Sequence, residues 1–270
     1  MIQKIDSWQK FAKATIETND LDPTYVFLWN AKKELGEQWA ARFAVHYLCF
    51  YDMGGAMEAS CNISGRDFWN VVLDNYDTWP RGTERRHSRG DLGRFYATNL
   101  SKHGTPDQIM DKMYAPTYTE LVKLFRTEFV NCGFGTYFQW KVLDFQERIW
   151  ERPISVSLDE AARYCPEDPI KCARKLWPDK TFKDALQMVV DYIDSWVAPP
   201  NFNRLCSYQE AETILCMLKG YFITKQHTIG DDVDSKYKQL KDWPEFHKFL
   251  PPRQDWKNLY ERATLVNSDV

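Results

Sequence analysis

The sequence predicts an all-α fold. Helix-start signals recur along the chain, and the residues after them are apolar at a spacing near 3.6. Clean period-2 alternation is almost absent, so a sheet gains no support. Five stretches have capping-box spacing, a hydroxyl residue followed three later by a carboxylate or amide: Ser64/Asp67, Thr105/Gln108, Thr117/Glu120, Ser157/Glu160 and Ser207/Glu210. Pro106 stands at the first helical position of the second, and Asp22-Pro23 reads as a sixth start. Trp39, Phe43, Tyr47 and Phe50 share one helical face. So do Leu121, Leu124, Phe125 and Phe129; Phe182, Leu186, Val189, Val190 and Ile193; and Ala211, Ile214, Leu215 and Leu218. Roughly nine to twelve helices are expected. The stretch "APPNFN" (198–203) is short and flanked by apolar helices, so it reads as a loop within one compact unit. The chain, residues 1–270, is therefore expected to form a single helical domain whose tail, about 259–270, frays.

Composition narrows the function. With 11 Trp, 14 Tyr and 16 Phe, the chain is rich in rings that fill cores and also stack on bases. A net charge of −3 argues against a blanket nucleic-acid binder and makes any anion site local. The seven cysteines show no framework and no metal-ligand spacing: Cys165 and Cys172 lack a paired C-x-x-C, so no metal and no cofactor is expected. No leader pattern opens the chain and no apolar run reaches the ~18 residues of a membrane span, so a reduced cytoplasm is the expected compartment.

Three stretches carry candidate chemistry. In "FVNCGFGTYFQWKVLDF" (129–145) one amphipathic helix ends near Val130. The turn Gly133-Phe134-Gly135 follows, and then a second helix with Phe138, Val142, Phe145 and Ile149 on one face. This pattern resembles a helix-hairpin-helix, over about 119–150, whose glycines let backbone N–H groups converge on a DNA phosphate. A plain tight turn between helices demands glycine equally. Lys141 faces the turn or the core, and Trp140 suits the core or a stacking role.

"WPRGTERRHSRGDLGR" (79–94) holds Arg81, Arg85, Arg86, Arg89, Arg94 and His87 against only Glu84 and Asp91. Arginine binds phosphate oxygens in planar, bidentate fashion. The stretch is a pocket for one multiply charged anion, a track for a DNA backbone, or a solvated loop paired with nearby acids. In "SYQEAETILCMLKGYFITKQHTIGDDVDSKY" (207–237), Lys219 and His227 near Asp231 and Asp232 have the makings of an acid–base site. The same aspartates equally suit the cap and first turn of the next helix, and Glu210 is explained by capping.

"PRGTERRHSRG" (80–90), "CGFGTYFQWKVLD" (132–144) and "EAETILCMLKGYF…HTIGDD" (210–232), in that order, resemble the alpha-glutamyl/putrescinyl thymine pyrophosphorylases, the amino acid:DNA transferases of phage thymine hypermodification. "YVFLWNAKKELGEQWAARFAVHYLCFYDMGGA" (25–56) is similar in character, and the resemblance spans roughly residues 20–245. It implies a helical fold related to helix-hairpin-helix DNA glycosylases. It also implies displacement of pyrophosphate from diphosphorylated 5-hydroxymethyluracil in double-stranded DNA by an amino acid or polyamine, within the host cytoplasm. Under that reading Arg81, Arg85, Arg86, Arg89 and Lys219 hold the diphosphate, and His87 donates a proton or hydrogen bond to it. Asp144, Glu212, His227 and Asp231 are candidates to deprotonate the amine, and Cys216 is a lower-ranked nucleophile. Gly133, Gly135 and Lys141 hold the DNA, and Tyr137 and Trp140 sandwich the flipped base. A glycosylase or lyase using Lys141 or Asp159, and a non-catalytic DNA-binding module, are the alternatives. The glycosylase needs no diphosphate-sized arginine cluster, whereas the binding module would use the arginines and Gly133–Gly135 on two phosphates of a duplex.

Overall fold

The computed structural model describes residues 2–61, 67–82, 92–200, 204–225 and 227–262. Nearly all of the regular structure is helical. The described α-helices are α1 (Trp8–Glu17), α2 (Pro23–Leu35), α3 (Glu37–Phe50), α4 (Met53–Cys61), α5 (Phe68–Asp74), α6 (Leu92–Leu100), α7 (Pro106–Lys112), α8 (Tyr118–Thr127), α9 (Thr136–Arg148), α10 (Leu158–Tyr164), α11 (Glu167–Leu176), α12 (Phe182–Ile193), α13 (Tyr208–Leu218), α14 (Asp231–Gln239) and α15 (Trp256–Leu259). They exceed the expected number because several, such as α5, α7, α10 and α15, are one or two turns long. The strands among the described residues are β1 (Gln3–Ile5) and β2 (Tyr260–Arg262), which pair in parallel. Among the described residues no helix is long and apolar enough to cross a membrane.

The local signals act where their chemistry predicts. Capping boxes start α7 at Thr105, α10 at Ser157 and α13 at Ser207, and Thr117 accepts the Glu120 N–H at the start of α8. Helix α2 begins at Pro23. Ser64 of the remaining pair lies outside the described residues, as do residues 201–203 of the loop and 263–270 of the tail. Thr181 accepts the Asp184 N–H at the start of α12, a T-x-x-D signal of the same kind.

The chain divides into two compact units, one within 1–26, 156–235 and 250–270, the other within 27–155 and 236–249. The first is built on α13, whose Ala211, Ile214, Leu215 and Leu218 are fully buried and which packs against α1, α11 and α12. The second is built on α3, which packs against α4, α6, α7 and α9. Trp39, Phe43, Tyr47 and Phe50 are all buried along α3. Trp39 stacks on Phe43 at 5.5 Å and on Phe246 at 6.2 Å.

Glycines let the segment 79–82 press on α3 and α4. A Cβ on Gly55 would stand 2.3 Å from the Pro80 carbonyl oxygen, and one on Gly82 would stand 2.8 Å from that of Tyr51. Gly82 donates its N–H to the Phe50 carbonyl at 2.7 Å. On the other side of 83–91, a Cβ on Gly93 would meet the Phe50 ring at 2.7 Å. Gly82 and Gly93, on either side of residues 83–91, thus both lie against the C-terminal end of α3.

Candidate active site

The second unit contains a cavity of about 130 Å³ at the meeting of α3, α6 and α9. Tyr47, Leu48 and Tyr51 line it from α3 and its C-cap, and Tyr96 from α6. Gly135, Tyr137, Phe138, Lys141 and Phe145 line it from α9 and its N-cap. Helical spacing explains the wall: Phe138, Lys141 and Phe145 fall three and four residues apart, so one face of α9 presents all three.

Tyrosine rings dominate the lining. Tyr51 lies 4.9 Å from Tyr47 and 6.1 Å, edge to face, from Tyr137. Tyr51 ends α3 in the left-handed region at φ 55, which turns the chain sharply into Asp52. Its N–H still donates to the Tyr47 carbonyl at 2.7 Å. Gly135 has no heavy atom within 4 Å of where a Cβ would stand, so the N-terminus of α9 is open on that side.

Charge is sparse and organised. Lys141 is the one charged side chain lining the cavity among the described residues, and it is 13% exposed. It donates to Asp144 Oδ2 at 3.3 Å and lies 5.9 Å from the Tyr137 ring centroid. Arg148 Nη2 stands 3.7 Å from the other oxygen of Asp144, and both residues are wholly buried. Lys141, Asp144 and Arg148 follow one another down one side of α9 at i, i+3 and i+7. Lys236 Nζ is 3.4 Å from the hydroxyl oxygen of Tyr47. Asp52, next to Tyr51, accepts the Gly55 N–H at 3.1 Å as the cap of α4. Burial pushes its carboxyl above the usual carboxylate range, against the Gly55 and Gly54 N–H groups and Lys236, which lower it.

The structure sorts the sequence candidates. Gly135, Tyr137 and Lys141 meet at the cavity, with Asp144 beneath Lys141. Gly133 is left-handed at φ 68 and joins the short 3-10 turn Val130–Cys132 to α9, so the first helix stops at Thr127, three residues before the expected end. Trp140 is 1% exposed and meets the Tyr118 ring edge-on at 5.4 Å, so it is a core ring with no face open to a base. Arg81 lies 3.9 Å from Asp77 and 4.6 Å from the centroid of the Tyr76 ring. Arg94 reaches the same two partners at 3.1 and 4.5 Å. Arg85, Arg86, His87 and Arg89 lie outside the described residues.

The remaining candidates belong to the other unit, where local roles occupy them. Glu212 is buried and accepts from Thr213 at 3.3 Å, and Lys219 is paired to Asp168 at 2.7 Å. His227 is exposed, its ring packed so close over Gly220 that a Cβ there would stand 2.4 Å away. Asp231 opens α14 and accepts the Thr228 N–H at 2.6 Å and its hydroxyl at 2.8 Å, which is capping chemistry. Cys216 is exposed and forms no disulfide among the described residues.

Sequence reasoning did not single out Tyr47, Tyr51, Tyr96 or Asp52 as site residues. Tyr47 has the spacing of the core face of α3, and it is both buried and cavity-lining. The signal that marks the corner is "YDMGG", an aspartate cap followed by two glycines that admit a neighbouring segment.

No family model matches the chain. The chain is, however, similar to curated phage proteins, among them the following two. The chain is 30% identical over 263 residues to a putrescinyltransferase of Delftia phage PhiW-14, covering 91% of this chain and 83% of that protein. It is 28% identical over 252 residues to a glycinyltransferase of Pseudomonas phage PaMx11, covering 80% and 84%. The helical chain is a transferase by this kinship. It belongs to the alpha-glutamyl/putrescinyl thymine pyrophosphorylase family, the amino acid:DNA transferases of phage thymine hypermodification.

Proposed function

We propose that the protein installs an amine on thymine in DNA by displacing pyrophosphate from diphosphorylated 5-hydroxymethyluracil, in the cytoplasm where phage DNA is modified. The observation that carries this reading is the tyrosine-walled cavity with one cation, Lys141, on its wall. A flat, weakly polar ring suits stacked aromatic surfaces, and a base must leave the helix to be enclosed by them. The helix-hairpin-helix reading of α8, the Gly133 turn and α9 then assigns the open α9 N-terminus at Gly135 to the DNA strand.

In the reaction the bond between the exocyclic methylene carbon and the diphosphate oxygen breaks, and its electron pair leaves with pyrophosphate. A new carbon–nitrogen bond forms to the amine, which gives up one proton. The departing oxygens carry several negative charges, and fixed cations lower the barrier to their release. Arg85, Arg86 and Arg89 are assigned that role, with His87 donating to the leaving group. The support is that Gly82 and Gly93, on either side of their segment, both lie against Phe50, next to the cavity-lining Tyr51. Asp52 is assigned the amine proton, because it directly follows the cavity-lining Tyr51 and burial raises its carboxyl, which makes it a stronger base than an exposed one. Asp144 acts through Lys141, which it holds.

The test is direct. The protein is incubated with duplex DNA carrying diphosphorylated 5-hydroxymethyluracil and a mixture of putrescine, glycine and other amines, then the DNA is digested and its nucleosides weighed. An amine adduct of thymidine with release of pyrophosphate is expected. Release of free base without an adduct would favour a glycosylase, and no change in either DNA or pyrophosphate would remove the reading. Replacing Arg85 and Arg86 should abolish turnover while binding to unmodified DNA persists; loss of both together points to a binding module instead.

A further inference from the structure

Phe95 is an aromatic ring on α6 that stays 46% exposed, and Val130, on the 3-10 turn before Gly133, is 58% exposed. The Phe95 ring lies against Gly133: a Cβ there would stand 3.0 Å from its Cε1. Both chains that meet at this contact lead into the cavity within two residues. Tyr96 lines it and holds its ring 5.2 and 5.6 Å from Phe134 and Phe138, and Gly135 lines it from the other side. The exposed ring therefore stands beside the place a withdrawn base would enter.

Two lysines, Lys102 and Lys112, and one acid, Glu128, stand around His103, which leaves a net positive charge there. Lys102 and His103 occupy the turn after α6, and Lys112 donates to the His103 carbonyl at 2.6 Å. The His103 ring packs 4.5 Å from Phe129, and its Nε2 is 3.8 Å from Cys132 Sγ. The imidazole is held below its usual range by burial first, then by Lys112 and Lys102, while Glu128 opposes them. An exposed apolar ring beside positive charge and an open helix N-terminus matches a DNA duplex better than a protein, because the phosphates meet the cations while the ring stacks between bases.

We propose that Phe95, backed by Gly133 and flanked by Val130, enters the duplex at the site of the withdrawn base and fills the gap it leaves. The inference rests on the reading of the tyrosine cavity as a base pocket. Extruding a base from a duplex costs stacking and pairing energy that a single strand has already given up, so a wedge matters only for the duplex.

The test compares wild type with Phe95→Ala, Phe95→Trp and Val130→Ala on duplex and single-stranded oligonucleotides of the same sequence. Each carries diphosphorylated 5-hydroxymethyluracil with 2-aminopurine beside it. Phe95→Ala is expected to lower duplex turnover roughly ten- to a hundredfold and single-strand turnover by less than about twofold, with Phe95→Trp restoring the duplex rate. The 2-aminopurine fluorescence should rise on binding wild type and fail to rise with Phe95→Ala. Equal loss on both DNAs, or an unchanged fluorescence rise in the variant, would overturn the wedge. If wild type turns over neither DNA, the base-pocket reading fails, and the fluorescence still decides the wedge on its own.

Discussion

Lys141 Nζ stands 3.3 Å from Asp144 Oδ2, joining a cavity-lining amine to a carboxylate with no exposed surface. Arg148, equally buried, approaches the second oxygen of Asp144 at 3.7 Å. The carboxylate thus faces two cations, Lys141 and Arg148. In the proposed reaction it holds Lys141 in place. Removing one partner of a buried ion group leaves the others uncompensated. Asp144→Ala should therefore cost about 3–5 kcal/mol, read by urea unfolding. Lys141→Met should leave Asp144 paired to Arg148, lower the melting temperature by only a few degrees, and remove most of the turnover. A fully active Lys141→Met variant would exclude Lys141 from the chemistry.

The two glycines of the α8–α9 turn should respond differently. Gly133 is left-handed and backed by Phe95, so Gly133→Ala strains the backbone and pushes the ring, at a cost of about 1–3 kcal/mol. Gly135 has φ −76 and open space beside it, so Gly135→Val should fold with nearly unchanged melting temperature. It should nevertheless lower affinity for substrate DNA, because the new side chain projects at the cavity wall. Thermal melts paired with DNA titrations separate the two effects.

Asp52 should set the acid limb of the pH–rate profile. Burial raises its carboxyl, and a base works only when deprotonated, so turnover should fall as pH drops through that raised value. Asp52→Asn should flatten this limb and lower the plateau. An unchanged profile would transfer the amine proton to another group.

Asp20 makes stability depend on pH. It is wholly buried at the start of α14, where it accepts the Gly230 N–H at 2.7 Å and the Val233 N–H at 3.0 Å. Burial above all, and then Asp232, push its carboxyl up to about 7 from 3.8. The native state then binds a proton that the unfolded chain has lost between those values. The contribution of Asp20 is full below pH ~4 and falls as pH rises through ~7. The stability of wild type relative to Asp20→Asn should drop over that range by at most about 4 kcal/mol. Urea titrations of both proteins at the two ends of the window check the sign.

Much of the helical architecture was legible in sequence because its causes are local. A capping box such as Ser157/Glu160 acts within four residues, and the face Ala211, Ile214, Leu215 and Leu218 is a matter of spacing alone. The same holds for Gly133, whose turn requires a left-handed residue. The candidate site was legible only in part. Gly135, Tyr137 and Lys141 stood out because they sit in one stretch of chain, and the structure gathers them at one cavity. Tyr51 and Tyr96 carried no periodic signal, and Tyr47 had the spacing of a core residue.

By itself, then, the sequence determined the helices, their caps, the turn at Gly133 and the kinship to a family of transferases. Tertiary structure alone decided that α3, α6 and α9 converge, since nothing in a helix specifies which distant helix its face will meet. It placed Trp140 in the core and Lys141 at the cavity although they are adjacent, because one step along a helix turns a side chain by about 100°. It also joined Asp20 to Gly230 across 210 positions, where burial, a property of the folded chain only, sets the proton affinity.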